Sequence, residues 1–252
     1  MSGEYQDCFS STTQQEYFLG CDLVDDPPSG PGYTQTTGAQ AMGKVVQSMS
    51  LSNAGKQNLL NTIVEMLEAC AYNFMFNNVN KKFTDVVVDP ALSLGGASYN
   101  TANGGLKFKY ESSIGMSLFP HEFIHLYQDG LYPGGINQYT NNTGLPNIDF
   151  EASFLSDFFR YLYGLQGMDL GAAENSPLFN DYKNWLRGLC HFWETDPFDY
   201  GQFLSYMSPA GNTYWDFMLN FKNYNPNVSN QSINYSLKPA VIEEFIYYFH
   251  CY

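Results

Sequence analysis

The chain carries little charge. Of its 252 residues only 14% are Asp, Glu, Lys or Arg, against roughly 25% in an average globular protein. Asn, Ser, Gln, Thr and Tyr must therefore supply most of the polar surface. Basic residues are the scarcest: 11 Lys and Arg face 25 Asp and Glu, giving a formal charge of −14, and no basic run exceeds Lys81-Lys82. A nucleic-acid partner requires a cationic footprint that such a chain lacks. Long apolar runs are also missing, so no transmembrane segment is expected. The opening Met-Ser-Gly-Glu-Tyr has neither a basic n-region nor an apolar h-region, and no signal peptide is readable. The Lys-poor, Asn/Tyr/Ser-rich composition nevertheless leans toward a trimmed secreted or cell-envelope protein. The five cysteines show no CxxC spacing, which removes a thiolate zinc site or a thioredoxin motif. Cys70 falls on an apolar helical face and reads as a small buried hydrophobe, while Cys8 and Cys21 are close enough in sequence to pair.

What is present is apolar and aromatic. Hydrophobic residues make up 44% and aromatics 17%, with 20 Phe and 20 Tyr, which excludes wholesale disorder and is enough for a sizeable core. Residues 1–42 read as a loosely ordered segment, because Asp25-Asp26-Pro27-Pro28-Ser29-Gly30-Pro31-Gly32 breaks any period and Thr34 to Gln40 is polar. Residues 43–252 read as one domain. Ser52 or Asn53 caps a long amphipathic helix reaching about Asn77. Phe83 to Asp89 is a short β-branched strand ended by Pro90, and Asn103-Gly104-Gly105 marks a turn between strands at 95–100 and 106–110. From Met116 on, helices dominate: Ser117 to Gln128 closed by Gly130, Asp149 to Leu165, Ser176 to Glu194, then shorter ones near 200–207, 213–221 and 239–248. The order is that of an α+β fold, with a small mixed or antiparallel sheet and the site helix in 43–130 and a mainly helical part in 148–252.

Only four histidines exist, and two of them form His121-Glu122-Phe123-Ile124-His125. This is the H-E-x-x-H pattern. On a helix, positions i and i+4 stack on one face, so both imidazoles can reach one ion, and Glu122 sits about 100° around the axis, beside that ion. Two histidines and a glutamate around one turn would be costly to bury without partners. A catalytic Zn²⁺ needs a third protein ligand and an open position. Leu131 stands where an H-E-x-x-H-x-x-G-x-x-H continuation would place a third His. His191 and His250 are the remaining histidines, and the helix starting near Ile148 offers carboxylates. Glu151, beside its apolar stripe, is the leading choice for third ligand, with Asp149 and Asp157 behind it.

Histidines at 121 and 125 with a glutamate 26 residues past the second, starting Glu151-Ala152, resemble the gluzincin branch of zinc metallopeptidases. The helix is also similar to those of uncharacterised secreted bacterial zincin-like proteins with His-Glu-Phe-x-His-x-Tyr-Gln. The resemblance spans about Leu106 to Asp157. It implies a zincin-like domain, zinc held by His121, His125 and Glu151, Glu122 as general base on a zinc-bound water, and a peptide or protein substrate. It also implies an edge strand before the helix, for which Leu106–Tyr110 is the candidate, able to receive an extended substrate. Gluzincins often carry an Asp four residues after the Glu, but here that position is Leu155, so Asp157 or Asp149 would have to support the histidines. The alternative is a catalytically inactive cell-surface binding protein on the same scaffold, which the aromatic excess suits.

Overall fold

The computed structural model describes residues 36–92, 96–140, 143–164, 171–173, 176–195 and 199–248, without the side chains of 191–195 and 248. The N-terminal Cys8–Cys21 pairing, Cys251 and His250 lie outside these residues, as does the side chain of His191.

The described chain opens with α1 (Gly38–Val45), inside the stretch whose polar composition suggests loose order. A reciprocal cap explains it. Thr37 Oγ1 accepts from Gln40 N–H (3.3 Å) and Gln40 Oε1 accepts from Thr37 N–H (2.9 Å), so two orphan donors of the first turn are satisfied locally. After β1 (Met49–Ser50) comes α2 (Asn53–Leu67), capped by Ser52 as its position suggests. The long helix expected to run on from there is instead two, because the chain turns extended at Ala69 before α3 (Cys70–Asn78). No Gly or Pro marks the break. Tertiary packing decides it: α3 is re-aimed so that Phe76 stacks on Phe123 at 4.2 Å and Tyr72 meets Phe159 edge-on at 5.1 Å. Cys70, at the start of α3, is disulfide-bonded rather than a plain buried hydrophobe.

The sheet is mixed and four-stranded, in the order β1-β2-β4-β3, with β2 at Val86–Val88, β3 at Ala97–Asn100 and β4 at Gly105–Phe108. β1, β2 and β4 run parallel, and β3 closes one side antiparallel to β4 in the register Tyr99↔Leu106. The turn between β3 and β4 uses Gly104 at φ 73°, a conformation a side chain resists. The strand expected at the edge, Leu106–Tyr110, is therefore internal where it forms β4, and the edge next to it is β3.

Among the described residues six α-helices follow: α4 (Phe119–Leu131), α5 (Leu145–Tyr163), α6 (Phe179–Thr195), α7 (Tyr200–Ser205), α8 (Tyr214–Tyr224) and α9 (Ala240–Tyr248). Gly130 does not end α4. A Cβ there would sit 2.2 Å from Asn80 Oδ1, so the glycine permits close packing on the 79–82 segment, and the helix stops before Pro133. The apolar side of α4 (Phe119, Phe123, Ile124, Leu126) is buried between the sheet, α3 and α5. α5 is buried on nearly every side. Its Phe154 packs within 5.4–5.9 Å of Phe158, Trp185, Phe203 and Tyr214, an aromatic centre that fixes the rotation of α5 about its axis. Fixing that rotation fixes which of its polar residues faces α4. No helix among the described residues is long and apolar enough to cross a membrane.

Candidate metal centre

His121 and His125 occupy the one side of α4 that is not packed away. Their Nε2 atoms lie 3.0 Å apart. The carboxylate that joins them is Asp149, whose Oδ1 is 3.3 Å from His125 Nε2 and 3.7 Å from His121 Nε2. Ligand atoms at ~2.0–2.2 Å around a tetrahedral zinc ion stand about 3.3–3.6 Å apart. Three distances of 3.0, 3.3 and 3.7 Å scatter around that value. Two imidazole nitrogens and a carboxylate oxygen are also a donor set that zinc accepts. These three residues could hold a metal ion. All three keep some exposure, His121 most (27%) and His125 least (12%), which leaves one side of the cluster open.

Glu151, the favoured third ligand on sequence grounds, points elsewhere. Residues two apart on a helix project about 200° apart, so Asp149 and Glu151 cannot both face α4's histidines. The packing of α5 chooses Asp149. Glu151 is fully buried behind the cluster, where Oε2 accepts from Gln128 Nε2 and the Tyr132 hydroxyl, both at 2.8 Å, and Oε1 accepts from the N–H groups of Val241 (2.8 Å) and Ile242 (3.1 Å) at the start of α9. Asp157, the other supporting candidate, lies two turns further along α5. It accepts from Gly171 N–H, Ala172 N–H and the Tyr182 hydroxyl, far from any supporting role to the histidines.

Each of the three clustered residues has a partner behind it. His125 Nδ1 meets Gln128 Oε1 at 2.7 Å. Ser153 Oγ stands 3.5 Å from His121 Nδ1, and Asn225 Nδ2 lies 3.5 Å from Asp149 Oδ2. Ser153 sits four residues after Asp149, one turn along the same face. The polar group looked for at Leu155, four residues after Glu151, is thus found four residues after the carboxylate that faces the site. Gln128 ends the His-Glu-Phe-x-His-x-Tyr-Gln pattern without a role being readable from it, and Ser153, Asn225 and Tyr132 belong to no motif. Only the polar Gln three residues past His125, on an otherwise apolar side, offers a signal in the sequence.

The electrostatics agree with this arrangement. Burial opposes ionisation of Asp149, yet hydrogen bonds and charge from His121 and His125 hold it well below the usual carboxylate range. Burial alone would lower His125, but Asp149, Glu122 and Gln128 together raise it. Asp149 is therefore a carboxylate, an anionic oxygen donor, near neutral pH.

Glu122 stands beside the cluster and is nearly buried. Its Oε2 accepts from the Tyr99 backbone N–H on β3 at 2.7 Å. Leu106 N–H and Phe108 C=O bond toward β2, and Lys109 N–H bonds to Gly96 C=O. By the alternation of an antiparallel ladder, the backbone groups of Ala97 and Tyr99 then face away from β4. The glutamate thus takes one donor from the outer side of the edge strand. Further down α4, Asp129 accepts from the Tyr99 hydroxyl (3.0 Å), the Ile136 N–H (2.8 Å) and Lys81, so Tyr99 is held at both ends by acids seven residues apart on one helix.

Comparison with protein families, curated proteins and solved structures finds no significant match to this chain.

Proposed function

We propose that the chain is a zinc-dependent peptidase with a zincin-like site, in which His121, His125 and Asp149 hold the metal and Glu122 is the general base. The observation that carries this reading is the convergence of three donor atoms at tetrahedral spacing on the helix that also bears Glu122. When bound, zinc supplies Lewis-acid polarisation of the scissile carbonyl and acidifies water. Glu122 then takes the proton of the attacking water and returns it to the leaving amine. The Tyr99 N–H occupies Oε2 of Glu122 and orients the carboxylate, leaving Oε1 to carry that proton. The outward backbone of β3 is placed to pair with an extended peptide beside the site. The Cys70 disulfide supports a secreted or cell-envelope setting, since such bonds persist in oxidising compartments.

The test couples metal content to turnover. The purified protein should retain zinc at one equivalent, and Glu122→Gln should keep it while losing about 10²–10⁴-fold in cleavage of unfolded protein substrates. A folded chain that takes up no zinc from a buffered excess defeats the proposal. Glu122→Gln cleaving at the parental rate defeats it too. Binding of a cell-surface ligand that is untouched by Glu122→Gln, with no turnover in the parent, would instead mark a binding protein.

A further inference from the structure

We propose that Gln128 is a positioning residue that fixes the tautomer of His125 and so aims its Nε2 lone pair into the site; the functional consequence rests on the zinc-site reading above. The argument is one of donors and acceptors. Gln128 Nε2 lies 2.9 Å from the backbone carbonyl of Ile148 and 2.8 Å from Glu151 Oε2. A carbonyl oxygen has no proton to give, so the amide nitrogen, with its two hydrogens, must face both. The amide oxygen is then the atom 2.7 Å from His125 Nδ1, and Nδ1 must carry the hydrogen. In the neutral ring Nε2 is left as a bare acceptor, and Nε2 is the atom that meets His121 and Asp149.

The amide cannot flip. Reversal would point its oxygen at the Ile148 carbonyl and at a carboxylate, and leave Nε2 facing an Nδ1 that would have to lose its hydrogen. Glu151 holds the orientation, and Glu151 is held in turn by Tyr132 and by the first turn of α9. Gln128 and Glu151 are both fully buried, so water does not compete for these bonds. The sequence-favoured ligand Glu151 therefore acts on His125 at one remove, through an amide.

The decisive measurement is ¹⁵N NMR of the histidine rings in metal-free protein at alkaline pH. His125 is expected in the Nδ1–H form, opposite to the form an unconstrained imidazole favours. A predominantly Nε2–H ring overturns the proposal, whatever the protein's activity. Gln128→Met keeps length and apolar volume but removes the acceptor, and should shift His125 toward Nε2–H. It should also weaken Co²⁺ binding by about 10- to 100-fold, the usual cost of losing such a partner, with a changed visible Co²⁺ spectrum. An unchanged ring and an unchanged spectrum in a folded Gln128→Met protein overturn it. If that variant fails to fold, the ring state of the parent still decides. Failure of the zinc reading looks different: His125→Ala would bind Co²⁺ as the parent does, while the NMR result still decides the tautomer.

Discussion

The middle of α5 holds two buried carboxylates in almost the same way. Glu151, the earlier of the two, accepts two successive backbone N–H groups, from Val241 and Ile242, and a tyrosine hydroxyl from Tyr132. Asp157, two turns on, accepts two successive backbone N–H groups, from Gly171 and Ala172, and a tyrosine hydroxyl from Tyr182. Burial pushes both up to about 7 against these donors. They differ in two respects: the charge of Arg160 acts on Asp157, and Glu151 has one extra donor. Glu151 also receives Gln128, and through it touches His125; Asp157 ends in structure alone. A buried acid on this helix is thus first a clasp for a distant segment, and becomes part of the site only where a side-chain amide connects it.

The largest effects should come from opening the clasps. Glu151→Ala strands the two α9 N–H groups, the Tyr132 hydroxyl and the Gln128 amide, and should destabilise the fold by about 3–5 kcal/mol in urea unfolding, since each buried orphan costs ~1–3 kcal/mol. It should weaken zinc binding as well. Asp157→Ala should cost a similar ~3 kcal/mol but leave the zinc affinity of the folded protein unchanged; a parallel loss of zinc would erase the distinction. Next comes Asp149→Ala. Zinc affinity by competition titration should fall more than about 100-fold, beyond what outer partners cost. If Asp149→Ala binds zinc as the parent does, the third ligand is not Asp149.

A pH series sharpens the comparison. Asp157 is raised from its ordinary value near 3.8 to about 7, so between those limits the folded state keeps a proton that the unfolded chain has released. The slope is therefore negative: stability from this group is full below about pH 4 and is lost as pH rises to about 7. The advantage of the parent over Asp157→Asn should accordingly shrink from pH 4 to pH 7, and an advantage that grows would show the carboxylate, not the acid, to be the buried form. The smallest effect should be that of Asn225→Ala. Its 3.5 Å contact with Asp149 is long, and zinc affinity should fall by at most about 10-fold.

Much of the site was legible as chemistry, less of it as geometry. His121, Glu122 and His125 share a helix because their spacing is helical, and the hairpin of β3 and β4 follows from Asn103-Gly104-Gly105. The choice between Asp149 and Glu151 was not legible, because it depends on the roll of α5. That roll is set by Phe154 against Trp185, Phe203 and Tyr214, residues 30 to 60 positions away in the chain. The edge strand that the resemblance implies at Leu106–Tyr110 is internal instead: a turn signal identifies a hairpin but not which arm finds a further partner, and β4 pairs with β2. The break at Ala69 has no local cause in the residues around it.

Tyr99 gives the edge strand and the Glu122 carboxylate a common mounting. Its backbone N–H is bound to Glu122 and its hydroxyl to Asp129, so one residue ties β3 to two acids of α4. An extended chain laid along this edge finds one rung already taken. Within β3 as described, the outward groups left to it are the Ala97 N–H and C=O and the Tyr99 C=O. On the proposed peptidase reading, a guest strand slid by two residues would lose part of that set, so the contact that holds Glu122 would also set the phase in which a peptide is read.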